Sequence, residues 1–152
     1  MLRVLVSVAL AIVSLQAAAQ PPDPAREFIG TSLIEDGKPI QLELLVRRPD
    51  GPGPFPTVVF NHGSTGRGDA PESFRRSWWS PAASAYFVER GWMVVFPQRR
   101  GRGASDGRYD EGFETDRSRY SCLPALSLPG VERAIEDLDA VIARVMDLEV
   151  AD

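Results

Sequence analysis

The sequence predicts an α/β fold in which an N-terminal β-hairpin is followed by parallel strands with crossover helices. Asp36-Gly37 lies between two strand-like segments and is a strong hairpin signal. Residues 57–60 and 92–96 are continuous apolar runs, as expected of strands buried on both faces of a parallel sheet. Residues 131–146 carry the apolar periodicity of a helix. Strands and helices therefore alternate along the chain, which is typical of the α/β class.

The hairpin is predicted from residues 28–34 and 40–47. The first segment is strand-like in composition, and in the second apolar side chains alternate with polar ones. A period of two indicates a strand with one buried face. Residues 50–56 are rich in proline and glycine, and we expect a loop there.

The second half of the predicted fold is one strand–helix–strand crossover followed by a long helix. Residues 81–90 have helical composition, and Gly91 follows them as the expected C-cap. Residues 108–128 mix charges, aromatics and prolines without a clear period, so we expect an insertion or loop. For the last helix we expect an apolar stripe facing the core. Its members are Val131, Ile135, Leu138, Ile142 and Val145.

The N-terminus has the three parts of a secretory signal peptide. A short basic start is followed by an apolar run over 4–15 and by the small residues Ala17-Ala18-Ala19. The run is shorter than the roughly 20 residues that span a bilayer. We therefore predict a signal peptide over 1–19, a mature chain over 20–152 and export to the periplasm or the extracellular space, with no membrane attachment after cleavage.

Composition argues against several other classes of protein. The net charge of the 152-residue chain is −4, and it becomes −5 once Arg3 is removed with the signal peptide. Mild acidity without a broad basic surface argues against nucleic-acid binding. No cofactor is expected.

Cys122 is the only cysteine, and we expect it to be a small buried apolar residue rather than a reactive thiol.

The turn after the 57–60 strand is the first candidate site. It reads Asn61-His62-Gly63-Ser64-Thr65-Gly66. A glycine-rich turn can aim backbone N–H groups at the oxyanion of an acyl-transfer reaction. An ordinary strand-to-helix turn would have the same composition, so the turn alone does not decide between the two.

A second motif follows the turn along the chain. The predicted strand at 92–96 follows the segment Glu89-Arg90-Gly91, and residues 100–107 read Arg-Gly-Arg-Gly-Ala-Ser-Asp-Gly. Together with the His62-Gly63 turn, they resemble the first half of an α/β-hydrolase of the dienelactone hydrolase or prolyl-oligopeptidase-like branch. The resemblance implies a partial α/β-hydrolase fold over 20–152. By position in the motif, it also implies that the backbone at Gly63 and Ser64 contributes the oxyanion hole.

The resemblance also implies that the catalytic triad lies beyond this sequence. In the family, a helix such as 131–146 leads into the strand that bears the nucleophilic serine, and the acid and the histidine follow. We therefore expect no catalytic residue of the triad in this chain. The strand at 57–60 would keep an uncovered edge beside the missing nucleophile strand. We expect the chain alone to be poorly stable or to be completed by a C-terminal polypeptide.

Two other interpretations of the arginine–glycine loop are weaker. Ser105 satisfies Gly-x-Ser-x-Gly, but polar residues precede it and no helical stripe follows, so a nucleophile elbow is not expected. Gly101, Gly103 and Gly107 form a loose glycine pattern after a strand. A dinucleotide site would need a helix that begins at those glycines. For Ser105 we expect hydrogen bonding within the loop.

The remaining candidates have simpler explanations. Trp78 and Trp79 could line a substrate pocket, although burial in a core is the usual fate of tryptophan. The carboxylates of the 108–128 segment have no histidine beside them, so we expect a solvated loop and no metal site; they are Asp110, Glu111, Glu114 and Asp116.

Three functions fit these observations. The first is an exported serine-type hydrolase of small ester or peptide-like substrates, of which this chain is the N-terminal half. The second is a non-catalytic binding or assembly module built on the half-fold. The third is a small nucleotide-binding α/β domain.

Overall fold

The computed structural model describes residues 21–150, the last three by their backbone alone, and it has the predicted α/β class. The predicted signal peptide lies outside the described residues. Four strands form one sheet in the order β1-β2-β4-β3. The elements are β1 (Ala25–Glu35), β2 (Lys38–Arg47), β3 (Thr57–Val59), α1 (Pro71–Phe74), α2 (Pro81–Val88), β4 (Met93–Pro97) and α3 (Pro124–Val150).

The predicted hairpin is confirmed. β1 and β2 pair antiparallel, and Glu35 faces Lys38 across the turn. Asp36 and Gly37 have φ angles of 50° and 73°. Both angles lie in the left-handed region that a two-residue hairpin turn requires, and Asp-Gly is one of the few dipeptides that adopts it readily.

The predicted half-burial of β2 is wrong, because both of its faces are covered. Leu42 and Leu44 lie in one core cluster, whereas Leu45 on the opposite face packs with Phe96 in a second cluster. Glu43 is also completely buried. Its carboxylate receives hydrogen bonds and an ion pair, which is the condition under which a charged side chain is tolerated inside a protein.

The parallel pairing predicted for the two apolar runs is confirmed, but their positions in the sheet differ. β3 and β4 run parallel, with Val58 opposite Val94. β4 lies between β2 and β3 and is buried throughout, as predicted. β3 is at the edge of the described sheet and is half-buried, so its predicted burial on both faces is wrong. Among residues 21–150, one side of β3 has no neighbouring strand.

The helix α3 begins earlier and ends later than predicted, and its buried face only partly matches the predicted stripe, of which Val145 is buried as expected. Val141 and Val145 enter the core cluster with β2 and β4. Val131, Ile135 and Ile142, which were expected to face the core, are about half exposed. The inward face includes the buried carboxylate of Asp137, which a search for apolar periodicity does not select.

The crossover between β3 and β4 contains the predicted helix. Ser80 caps α2, since its hydroxyl accepts a hydrogen bond from the N–H of Ala83 at 3.2 Å. Gly91 has a φ of 80° after the end of α2, as expected of a C-terminal glycine. None of the helices among the described residues is long and apolar enough to cross a membrane.

Candidate active site

The glycine-rich turn at the end of β3 presents free backbone donors. His62 is buried, whereas Gly63 and Ser64 are exposed. Within residues 21–150, the N–H groups of Gly63 and Ser64 make no hydrogen bond. Unpaired and exposed N–H groups at the end of a strand are the donors that an oxyanion hole requires.

Two arginines contact the carbonyl groups of this turn. The guanidinium of Arg99 lies 3.5 Å from the carbonyl oxygen of His62, and that of Arg102 lies 3.3 Å from the carbonyl oxygen of Gly63. These contacts are long and individually weak. Because they hold the two carbonyls on the side of the arginine loop, the following N–H groups are directed elsewhere.

The imidazole of His62 is arranged to stay neutral. Its Nδ1 lies 2.9 Å from the carbonyl oxygen of Gly63, which can only accept, so Nδ1 carries the proton. Nε2 is buried and has no partner among the described residues. Burial, together with the positive charges of Arg99 and Arg102, lowers the pKa of His62 from 6.5 to about 4. His62 therefore supports the turn rather than serving as a general base.

The arginine loop that follows β4 is fixed by one partly buried and one fully buried ion pair. Arg99 pairs with Glu111, and the Nε of Arg100 lies 2.7 Å from a carboxylate oxygen of Asp137 on α3. The other oxygen of Asp137 accepts the backbone N–H of Arg100 at 2.9 Å. The loop requires glycine directly after Arg100: the φ of Gly101 is 71°, and a Cβ there would lie 1.9 Å from the backbone nitrogen of Tyr109.

A hydroxyl–carboxylate network lies beside the turn, and the sequence did not predict it. The hydroxyls of Tyr109 and Tyr120 donate to Glu111 at 2.8 and 2.7 Å, and Tyr109 also contacts the hydroxyl of Thr65 at 2.8 Å. Burial alone would raise the pKa of Glu111, but Arg99 and the two tyrosines outweigh it, and the pKa lies below its usual value. Burial raises the pKa of the Tyr120 hydroxyl. Glu111 was expected in a solvated loop, and that expectation is wrong.

Ser105 makes two hydrogen bonds within the fold, in line with the role expected of it. Its hydroxyl donates to the carbonyl oxygen of Gln98 at 2.6 Å and accepts the N–H of Glu43 at 2.8 Å. The loop approaches β2 closely at this point, and the N–H of Ala104 donates to the Glu43 carboxylate at 2.6 Å. The hydroxyl has no basic side chain as a hydrogen-bond partner among the described residues, so Ser105 fastens the loop to β2.

Three further candidates can be compared with the structure. Cys122 is exposed, so the expected burial is wrong. The glycine loop at 101–107 leads into turns, and the next helix among the described residues is α3, so the helix that a dinucleotide site needs is absent from the loop. In the part of the chain that the structure describes, no group of three or more His, Cys, Asp or Glu side chains could hold a metal ion.

Trp78 and Trp79 are partly buried in the core, as expected, and each also borders a cavity. They pack on the Leu45–Phe96 core cluster, and they also line a cavity of about 570 Å³. Trp78 meets the edge of the His62 ring, with centroids 6.4 Å apart. The cavity also reaches Arg102, so it adjoins the glycine-rich turn.

The fold and this turn define a protein of the α/β-hydrolase type. A search of curated proteins found no match to the chain. Residues 36–121, more than half of the 152-residue chain, match the family described as X-Pro dipeptidyl-peptidase (S15 family). The chain belongs to this S15 family, whose members are serine peptidases of the α/β-hydrolase type.

The family match refines the resemblance drawn from the motifs. It supports the α/β-hydrolase superfamily and a hydrolase function, as predicted. It does not support the dienelactone hydrolase or prolyl-oligopeptidase-like branch. The matched segment includes the glycine-rich turn and the arginine loop.

Proposed function

We propose that this chain supplies the oxyanion-hole half of an exported serine-type hydrolase that cleaves a peptide-like or ester bond in a small substrate. The Gly63 and Ser64 N–H groups stabilise the negative charge that develops on the scissile carbonyl oxygen. Such donors are worth about 10²–10³ in kcat when they are fixed before the reaction begins.

The observation that carries the proposal is the polarity of the turn after β3. Its carbonyls face two guanidinium groups, and the N–H groups of Gly63 and Ser64 are exposed and unpaired within residues 21–150. The neutral imidazole of His62 lies under the turn and places no positive charge of its own there. Membership of the S15 family supplies the reaction class.

The nucleophile, the acid and the general base belong, in this proposal, to a C-terminal polypeptide segment that follows α3 or to a second chain. His62 is the only histidine in the sequence, and it is buried within the turn. Ser105 is engaged on both sides by Gln98 and Glu43. The unpaired edge of β3 among the described residues is where a further parallel strand would join the sheet.

A fluorophosphonate probe tests this assignment. It would be applied to the protein that carries this chain, and the modified serine would be mapped by mass spectrometry. We expect one labelled serine outside residues 1–152 and none at Ser105, with Ser105→Ala labelled as strongly as the wild-type protein. Labelling at Ser105 would overturn the assignment of roles. No labelling of any serine would favour the alternative, a non-catalytic binding module.

A further inference from the structure

The arginine loop contains one buried cation whose ionic partner is missing from the described residues. Arg99 pairs with Glu111, and Arg100 pairs with Asp137 and Glu136. Arg102 is only 4 % exposed, yet it forms no ion pair with residues 21–147. A buried charge without a counter-ion costs several kcal/mol, so an arginine kept in this position needs a compensating interaction.

The neighbours of Arg102 compensate it only in part. One terminal nitrogen lies 3.3 Å from the carbonyl oxygen of Gly63, and the guanidinium lies 5.4 Å from the centroid of the Tyr109 ring. Its Nε is buried and has no acceptor among the described residues. A carbonyl and an aromatic face provide partial negative charge, but neither neutralises a guanidinium.

Arg102 lines the cavity of about 570 Å³ that adjoins the glycine-rich turn. Trp78 and Trp79 also line it, as do Ser73 and Ser77, whose hydroxyls donate to the carbonyl oxygen of Ala70 and to the Glu43 carboxylate. Two more charged residues, Arg76 and Glu72, also line it and are exposed. Since their charges are opposite, the cavity has a surplus of one positive charge, and that charge is on Arg102.

We infer that this cavity binds a carboxylate group of the substrate, with Arg102 as its counter-ion and the indoles of Trp78 and Trp79 against the adjoining apolar part. A guanidinium matches the two oxygens of a carboxylate, and a monoanion balances the single surplus charge. The inference deepens the proposed function and rests on it, because the bound carboxylate compound is a substrate only if the completed protein is a hydrolase. Binding itself needs no nucleophile, so it can fail or succeed independently of hydrolysis.

The test compares benzoate with benzamide, which has nearly the same shape and no charge. Each would be titrated into the full chain at pH 7, with tryptophan fluorescence and the NMR signals of the single histidine, His62, as readouts. We expect saturable binding of benzoate and at least about tenfold weaker binding of benzamide, because hydrogen bonds to a charged group contribute about 1.5–3 kcal/mol. Equal affinity for the two compounds, or no binding of benzoate, would overturn the inference.

Variants assign the binding to the guanidinium. Arg102→Gln is expected to reduce benzoate affinity at least about tenfold and to leave benzamide unchanged. Arg102→Lys should retain part of the preference, because the charge remains but the paired donors are lost. The matched control is Arg144→Gln, an exposed arginine on α3, which should bind as the wild type does. Unchanged binding in folded Arg102→Gln contradicts the inference. If Arg102→Gln does not fold, the inference is tested by the preference of the wild type for benzoate over benzamide and by the reduced preference expected of Arg102→Lys.

Discussion

Replacing Asp137 with alanine is expected to destabilise the chain by about 3 kcal/mol. The substitution leaves Arg100, which is 6 % exposed, with only the half-exposed Glu136 as a counter-ion. It also removes the acceptor of the Arg100 backbone N–H. Breaking one side of a buried ion pair typically costs about 3–5 kcal/mol, and the remaining Glu136 contact places this case at the low end. Denaturant unfolding followed by circular dichroism measures the change.

Two further variants separate charge from hydrogen bonding at this position. Asp137→Asn keeps an oxygen that can accept the Arg100 N–H but removes the negative charge. Its unfolding free energy should therefore fall by less than that of Asp137→Ala. Asp139→Asn changes an exposed carboxylate two residues away on α3 and should alter stability by less than about 0.5 kcal/mol. If Asp137→Ala were as stable as Asp139→Asn, the attachment of the arginine loop to α3 described above would be incorrect.

The stability of the chain is expected to fall by about 2 kcal/mol between pH 7 and pH 5 because of His62 alone. The pKa of His62 is lowered to about 4 by burial and by Arg99 and Arg102, against 6.5 in the unfolded chain. Between these values the unfolded state binds more protons than the folded state, so stability falls as the pH falls. The contribution is fully present above pH 6.5 and is lost as the pH approaches 4.

The matched variant for this prediction is His62→Gln, which cannot titrate. The difference in unfolding free energy between pH 7 and pH 5 should be about 2 kcal/mol smaller in the variant than in the wild type. Since His62 is the only histidine, one imidazole titration in NMR reports its pKa directly. A measured pKa near 6.5 would show that the imidazole is solvated and that the arginines do not act on it.

Local signals in the sequence were sufficient for the elements whose structure depends on neighbouring residues. The Asp36-Gly37 turn, the parallel pairing of β3 with β4 and the end of α2 before Gly91 are confirmed, because turn geometry and strand formation are encoded within a few positions. The motif resemblance also located the correct superfamily, because it joined the turn after β3 to the loop after β4.

The errors arose where a charged residue is buried by partners far along the chain. Glu43 occupies a position that alternation assigned to solvent, yet its carboxylate is held by Ser77 and by the N–H of Ala104, 34 and 61 residues away. Asp137 similarly turned the inward face of α3 away from the predicted apolar stripe. Such long-range pairing leaves no periodic signal in the sequence.

The candidate site was predicted only as far as its backbone. Gly63 and Ser64 followed from the motif, and they stay a prediction as oxyanion donors. The contacts that hold the turn were not foreseen, because Tyr109 and Glu111 lie in the 108–128 segment without periodicity and the motif at 100–107 assigned no contact to Arg102. The cluster of three arginines was the one signal that could have indicated them.

The most direct measurement is the kcat of the completed hydrolase with Ser64→Pro, which removes the proposed donor N–H. Ser64→Ala keeps that N–H and is the control; it removes only the serine hydroxyl, which accepts the N–H of Gly66 at 3.0 Å and interacts with the Tyr120 hydroxyl. We expect Ser64→Pro to lower kcat about 10²–10³-fold with a smaller effect on KM, and Ser64→Ala to remain within a few-fold of wild type. If circular dichroism shows that both variants are folded, equal kcat values for the two would contradict the oxyanion role of this turn.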